Sequence, residues 1–474
     1  MKSIKKILVT TALLSMSCGL LAGCGSDDAH SLNVVCLNRG YGADWINKAV
    51  EMFQEQNPGF KVNLNMTASA SALFEGNIKK ENNKDDVYIT NGVQWREDAN
   101  YLLDIDDVIE AEVDGVKLKD KVSKEFRDSL YLTNSNGEKH AYRLPWTSGV
   151  GGIFYNEALF ETYNWKVPTT YEELVQLVDE IIANPKPVPG SRGETVYPFT
   201  YSGNNTDVFD YAVFTWWSQL SGTENIKTFK QFTRDSKTNF DVAQNETYNN
   251  LKKATKMWDD LFGKTSSRHD KIAAPTDEQA DSHASQKNFM KGKAAMMFNG
   301  DWCYNEMLNY SGEMPENFKL RIMPTPTAAG ATEENIKTAY TIGEDQFIVI
   351  PKSTTKADLA KSFVKILASD TMIKNFLQKA HGFLGFNLST GKIDVSEFDD
   401  PVMKSLITYK NEHTDTFTDF SSSPLYLNNK VDLWAHKRPF LELIGGTKNI
   451  DTAFDAIKEN VNTNWDTWCS ACGM

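Results

Sequence analysis

Flat aromatic side chains set beside carboxylates, amides and hydroxyls are the chemistry-bearing pattern in this 474-residue chain. A Trp or Tyr face stacks on apolar C–H surfaces. Asp, Asn and Ser nearby can satisfy a girdle of hydroxyls with directional hydrogen bonds. Such a set suits a polyhydroxylated ligand. The clearest instance is Asn299-Gly300-Asp301-Trp302, where an apolar strand gives way to a helix. Gly300 permits a tight turn there, and Asp301 is placed to cap the helix while facing a crevice. Tyr41 and Asp44 occupy an early loop, Ser69 a second, and Asn91 with Trp95 a third. Trp146 and Ser148 precede a glycine-rich stretch, and Glu344 and Asp345 follow Gly343. Trp216 and Trp217 are adjacent, so a helix points them to different sides, one to the core and Trp217 to the site. Each assignment has a plainer alternative. For the tryptophans it is packing, for Tyr41 and Asp44 helix entry, and for Glu344 and Asp345 a solvated turn.

The same mixture could serve a secreted glycoside hydrolase. Hydrolysis needs two carboxylates roughly 5–10 Å apart around one bond, and with 63 acidic residues a pair is always available. Nothing else asks for catalysis. The chain has no Gly-x-Ser-x-Gly, His-Glu-x-x-His or phosphate-loop motif, and its seven histidines show no metal-ligand spacing. No catalytic residue, metal or cofactor is assigned, and a sensing or adhesion protein is the remaining alternative.

The elements that must position these residues alternate. Leu32 to Leu37 reads as a strand ending in a loop at 38–44. Trp45, Ile46, Ala49, Val50 and Phe53 then share a helical face, which Asn57-Pro58-Gly59 stops. Phe60 to Met66 alternates as a second strand, and Asp86 to Thr90 forms a third. Strands separated by helices predict a parallel sheet, with its ligand crevice beyond the carboxyl ends of the strands. Those ends are followed by the loops holding Tyr41, Asp44, Ser69, Asn91 and Trp95. A second lobe opens after Leu144-Pro145-Trp146, and Thr170 with Glu173 has the spacing of a capping box.

Length, charge and the first residues bound the setting. A chain this long exceeds one hydrophobic core and predicts at least two lobes. Its net charge of −13 disfavours nucleic acid. Lys2, Lys5 and Lys6 precede an uncharged run, Ile7 to Leu21, that is too short to span a bilayer and reads as a signal-peptide core. Leu21-Ala22-Gly23-Cys24 resembles the lipobox of bacterial lipoproteins. That resemblance implies a signal peptide over 1–23, lipid on Cys24 and a tether over 24–30. The expected location is the extracellular face of the bacterial cell membrane, with ordinary secretion as the alternative. Of six cysteines, Cys18 leaves with the leader and Cys24 carries lipid. Cys36, Cys303, Cys469 and Cys472 then remain as free thiols or one local disulfide.

Several segments, in order, resemble the extracellular solute-binding proteins of carbohydrate ABC importers, the maltose-binding type. They are Trp45 to Val62, Tyr155-Asn156 with Trp165 to Leu174, Phe289 to Trp302, and Thr341 to Pro351 with the helix at 356–369. The resemblance implies a two-lobed α/β fold of the type II periplasmic-binding-protein kind, each lobe a mixed sheet flanked by helices, with a ligand cleft between the lobes. It places lobe 1 at 31–145 and 303–352, and lobe 2 at 146–302 and 353–474, with Trp434 beside the cleft. It further implies a monomer that binds a carbohydrate ligand by lobe closure, has the importer's permease subunits as partners, and meets the membrane through Cys24.

Overall fold

The computed structural model describes residues 30–91, 99–342 and 346–474. Two sheets carry the architecture. In chain order their strands are β1 (Ser31–Leu37), β2 (Lys61–Thr67), β3 (Val87–Thr90), β4 (Arg143–Pro145), β5 (Gly151–Asn156), β6 (Tyr197–Thr200), β7 (Ala294–Gly300), β8 (Leu320–Ile322) and β9 (Phe347–Val349).

The first sheet has the order β2-β1-β3-β9-β4. β1 pairs in parallel with β2 and β3, and β9 runs antiparallel between β3 and β4. β3 and β9 are fully buried, as expected of strands covered on both faces. The helix Ile46–Gln56 buries Ile46, Ala49 and Phe53, so its apolar stripe has helical spacing. Phe53 meets Phe363 edge-on, with ring centroids 5.7 Å apart.

The second sheet has the order β6-β7-β5-β8. β7 is buried at every residue, because it lies between parallel β6 and antiparallel β5. Beside this sheet the helix Asp210–Ser221 is buried around most of its circumference. A helix apolar all round belongs inside a core rather than on a surface.

Three segments cross between the lobes, and the one at 146–148 bonds to the other two. The Trp146 N–H donates to Gln346 O (2.8 Å), the Ser148 N–H to Phe383 O (2.8 Å), and the Gly385 N–H to Trp146 O (2.9 Å). This arrangement corrects the expected lobe boundaries. β8 pairs with β5, so the segment after residue 303 stays with the second sheet until the crossing near 341–346. The helices Ala357–Leu367 and Asp370–Ala380 pack on the first lobe, against Ile46–Gln56. The chain returns to the second lobe only after the crossing near 383–385. A strand of three residues carries too little pattern to say which sheet it joins, which is why the sequence placed it wrongly.

Candidate functional site

β7 delivers the centre of the site. Its last residue, Gly300, has the Trp302 indole folded back over it, so a Cβ there would sit 2.2 Å from the ring. Glycine is required by this close approach. The Cβ of Trp302 in turn presses on Gly40 of the loop after β1. Trp302 is half-buried and meets both lobes, Gly40 and Tyr41 of the first and Tyr211 of the second.

Asp301 does not cap the helix Cys303–Ser311, whose N-terminus has no side-chain cap. Instead its carboxylate and its backbone N–H together bond three segments. The Tyr41 hydroxyl donates to Oδ1 (2.6 Å), and the Phe383 backbone N–H donates to Oδ2 (3.0 Å). The Asp301 N–H donates to Val150 O (2.8 Å). Asp301 is fully buried. Burial pushes its carboxyl up to about 7, although the Tyr41 hydroxyl, the Phe383 N–H and the nearby Lys410 charge all favour the ionised form.

From Trp302 a file of aromatic rings extends in both directions. Tyr41 stands edge-on to it at 6.4 Å and Tyr211 lies tilted at 6.2 Å. Tyr340 follows Tyr211 at 5.9 Å, then Phe214 at 4.9 Å, then Trp434 nearly parallel to Phe214 at 5.3 Å. The Tyr211 hydroxyl donates to Gly149 O in a crossing segment (2.8 Å). At the far end the Trp434 Nε1–H donates to Asp210 Oδ1 (3.0 Å), while Arg438 gives Nη2 (2.7 Å) and Nε (3.2 Å) to Oδ2. The Arg438 side chain is 40% exposed. Asp210, Tyr211, Tyr340 and Arg438 were not singled out from the sequence. The lone acid in Val208-Phe209-Asp210-Tyr211-Ala212-Val213 was the available signal, since a charge in an apolar run needs a buried partner.

The other sequence-derived residues divide into three groups. Asp44 and Ser69 are exposed and Asn91 is half-buried, each following the end of β1, β2 or β3 at one edge of the first sheet. The Asn91 side-chain oxygen is buried with no hydrogen-bond partner among the described residues. A second group is enclosed. Trp146 lies 4.7 Å from Trp45 inside the first core. Trp217 is fully buried and donates to Thr247 O (2.6 Å), so both members of the Trp216-Trp217 pair are core and the expected ligand-facing side of Trp217 is corrected. Trp434 is also enclosed, 2% exposed, at the end of the ring file. Ser148 and Asn299 are buried, Ser148 in a crossing segment and Asn299 accepting the Gly300 N–H through Oδ1 (2.8 Å). Cys24, Trp95, Glu344 and Asp345 lie outside the described residues.

A half-buried indole flanked by tyrosines of both lobes, beside a buried carboxylate, is suited to holding a polar solute. Among the described residues no three His, Cys, Asp or Glu side chains are arranged to hold a metal ion. The family model for bacterial extracellular solute-binding proteins matches residues 39–373. The chain belongs to this family. Solved solute-binding structures share the fold along nearly the whole length. A chitin oligosaccharide binding protein is 18% identical, covering 91% of this chain and 99% of the other, with a TM-score of 0.60. RafE of Streptococcus pneumoniae is 15% identical over 93% and 98%, with a TM-score of 0.62. The GacH receptor of Streptomyces glaucescens, described in complex with acarbose, is 16% identical over 92% and 98%, also at 0.62. A multiple sugar-binding protein of Streptococcus mutans is 36% identical over 69 residues, which is 14% of this solute-binding protein and 16% of that one. The two-lobed fold is thus established. Among the described residues no helix is long and apolar enough to cross a membrane. Cys36, Cys303, Cys469 and Cys472 are buried, and among the described residues Cys36, Cys303 and Cys469 are free thiols.

Proposed function

We propose that this solute-binding protein captures a sugar, an oligosaccharide, in the cleft between its lobes and hands it to the permease subunits of an ABC importer. It does so without chemistry, as a monomer held at the extracellular face of the cell membrane by lipid on Cys24. The observation that carries the reading is Trp302, half-buried with Tyr41 of the first lobe and Tyr211 of the second beside its ring. A sugar ring stacked there would touch groups that only the approach of the lobes brings together. The names of the relatives agree: a multiple sugar-binding protein, RafE in complex with raffinose, and the acarbose receptor GacH.

Asp44, Ser69 and Asn91 extend the first-lobe wall in this reading, and Trp95, Glu344 and Asp345 are proposed as further ligand contacts. Arg438 supplies donors from the second lobe. Closure follows when bound sugar prefers the closed arrangement. Moving the lobes from 1% to 99% closed requires a preference of about 5.5 kcal/mol, which stacking plus several charge-assisted hydrogen bonds can supply. Thermal shift and product analysis on an oligosaccharide panel test the reading together. Stabilisation without cleavage supports it, and turnover at enzymatic rates defeats it in favour of a hydrolase.

A further inference from the structure

A cavity of about 430 Å³ lies behind the crossing segments. None of Tyr41, Tyr211, Trp302 and Trp434 lines it. Tyr340 of the aromatic file does line it, and Phe383 lies between it and Asp301, giving its backbone N–H to that carboxylate while lining the cavity wall. The wall draws on both lobes, with Asn387 from one side and Tyr409 and Thr416 from the other, and on the crossing residues Val150 and Thr341.

Its charge runs against that of the chain. Lys121, Lys124, Lys392 and Lys410 line it against Asp120 and Glu125, in a protein of net charge −13. Lys121 is committed elsewhere, to Asp114 (2.7 Å) and Asp370 (2.6 Å). Lys124 is exposed and reaches Asp415 at 3.5 Å. Lys410 differs from both. Its ammonium makes no hydrogen bond or ion pair among the described residues and lies over the Phe383 ring, 5.0 Å from the centroid. Burial holds its pKa below the ordinary lysine value, and the charges of Glu125 and Asp301 oppose that shift without contacting it. His413 adds no cation, since burial keeps its imidazole neutral while Nδ1 faces Tyr409 O (2.8 Å). A half-buried ammonium with an aromatic ring but no acceptor against it, in a cavity rimmed by hydroxyls and amides, is poised for an acceptor to arrive.

We propose that this cavity is a second ligand site, for a small multivalent oxyanion carrying carboxylate or phosphate groups, with Lys410 as its charged contact. Ser123, Asn387, Thr341 and Thr416 line the remainder and supply neutral hydrogen-bonding groups. The site is distinct from the proposed sugar contact, because Trp302 does not line it and Tyr340 is the one ring of the aromatic file that does.

Thermal denaturation of the full chain, titrated with citrate, with inorganic phosphate and with glycerol at constant ionic strength, tests it. At least one anion should raise Tm saturably and glycerol should not, with citrate against phosphate telling carboxylate from phosphate recognition. Trp302→Ala should respond as the parent does, which keeps the outcome separate from sugar capture. Lys410→Met should raise the half-saturating concentration by about tenfold or more, and Lys410→Arg should largely retain the response. Should Lys410→Met fail to fold, Thr414→Trp, at an exposed lining position, should abolish the response by filling the cavity mouth. No saturable rise with either anion, or an undiminished rise in the Lys410→Met or Thr414→Trp protein, overturns the proposal.

Discussion

Asp301 is the residue on which most of the site depends, because one carboxylate holds a first-lobe loop and a crossing segment to the end of β7. Its titration gives a signed prediction. The folded carboxyl holds its proton up to about 7, against an ordinary value of 3.8, so between those values the folded state binds more protons than the unfolded chain. Stability therefore falls as pH rises through that window. A Tm series from pH 4 to pH 8 should decline, and Asp301→Asn should flatten part of the decline. Asp210, also held up to about 7 by burial, leaves a residual slope. Trp302→Ala should weaken sugar binding by about 2 kcal/mol, roughly thirtyfold in Kd, while the chain remains folded. Calorimetric titration checks the loss and circular dichroism the fold. The strand end and turn that carry Asp301 and Trp302 were legible in the sequence, because a short glycine turn after an apolar strand is a local signal. Trp146 and Trp217 were not, because a tryptophan in a core and one in a cleft have the same local spacing. Only the long-range partners, Trp45 for one and Thr247 for the other, decide between them.

At the scale of elements, strand ends matter more than strand middles. β5 begins at Gly151, where a Cβ would lie 2.3 Å from the Tyr211 ring. Gly151→Ala must push that ring aside and break its hydrogen bond to Gly149 O, at a cost of about 1–3 kcal/mol, readable as a lower urea midpoint. Elements with local signals were well read. The first three strands and the helix Ile46–Gln56 fall within a residue or two of expectation, since period and stop signals are short-range properties. The helix Tyr171–Ala183 shows the limit of that legibility. The Thr170 hydroxyl caps the Glu173 N–H at 3.2 Å, but the Glu173 carboxylate turns to the Thr169 N–H at 2.7 Å rather than to Thr170. Thr170→Ala should cost about 1 kcal/mol of stability without touching sugar affinity.

Across the whole molecule, two sheets are joined by crossing segments, the one at 146–148 bonded to the other two, and the proposed capture requires the lobes to close about them. Small-angle scattering should then record a smaller radius of gyration when sugar is added, and an unchanged one for Trp302→Ala at the same sugar concentration. Which segments form which lobe could not be read from sequence. Pairing of β8 with β5, and packing of two late helices on the first lobe, are contacts between residues far apart in the chain, and neither leaves a periodic trace. The charge pattern behind the crossing segments escaped sequence reading for the same reason. Its lysines come from distant parts of the chain and meet only in the fold.

The central claim is that the lobes close on an unmodified sugar. Isothermal titration of the purified mature chain with a panel of defined oligosaccharides, followed by chromatographic analysis of the recovered sugar, tests it most directly. The account predicts saturable one-to-one binding of at least one oligosaccharide, recovered intact and lost or sharply weakened in Trp302→Ala. Binding unaffected by Trp302→Ala, or recovery of shortened sugars, would contradict it.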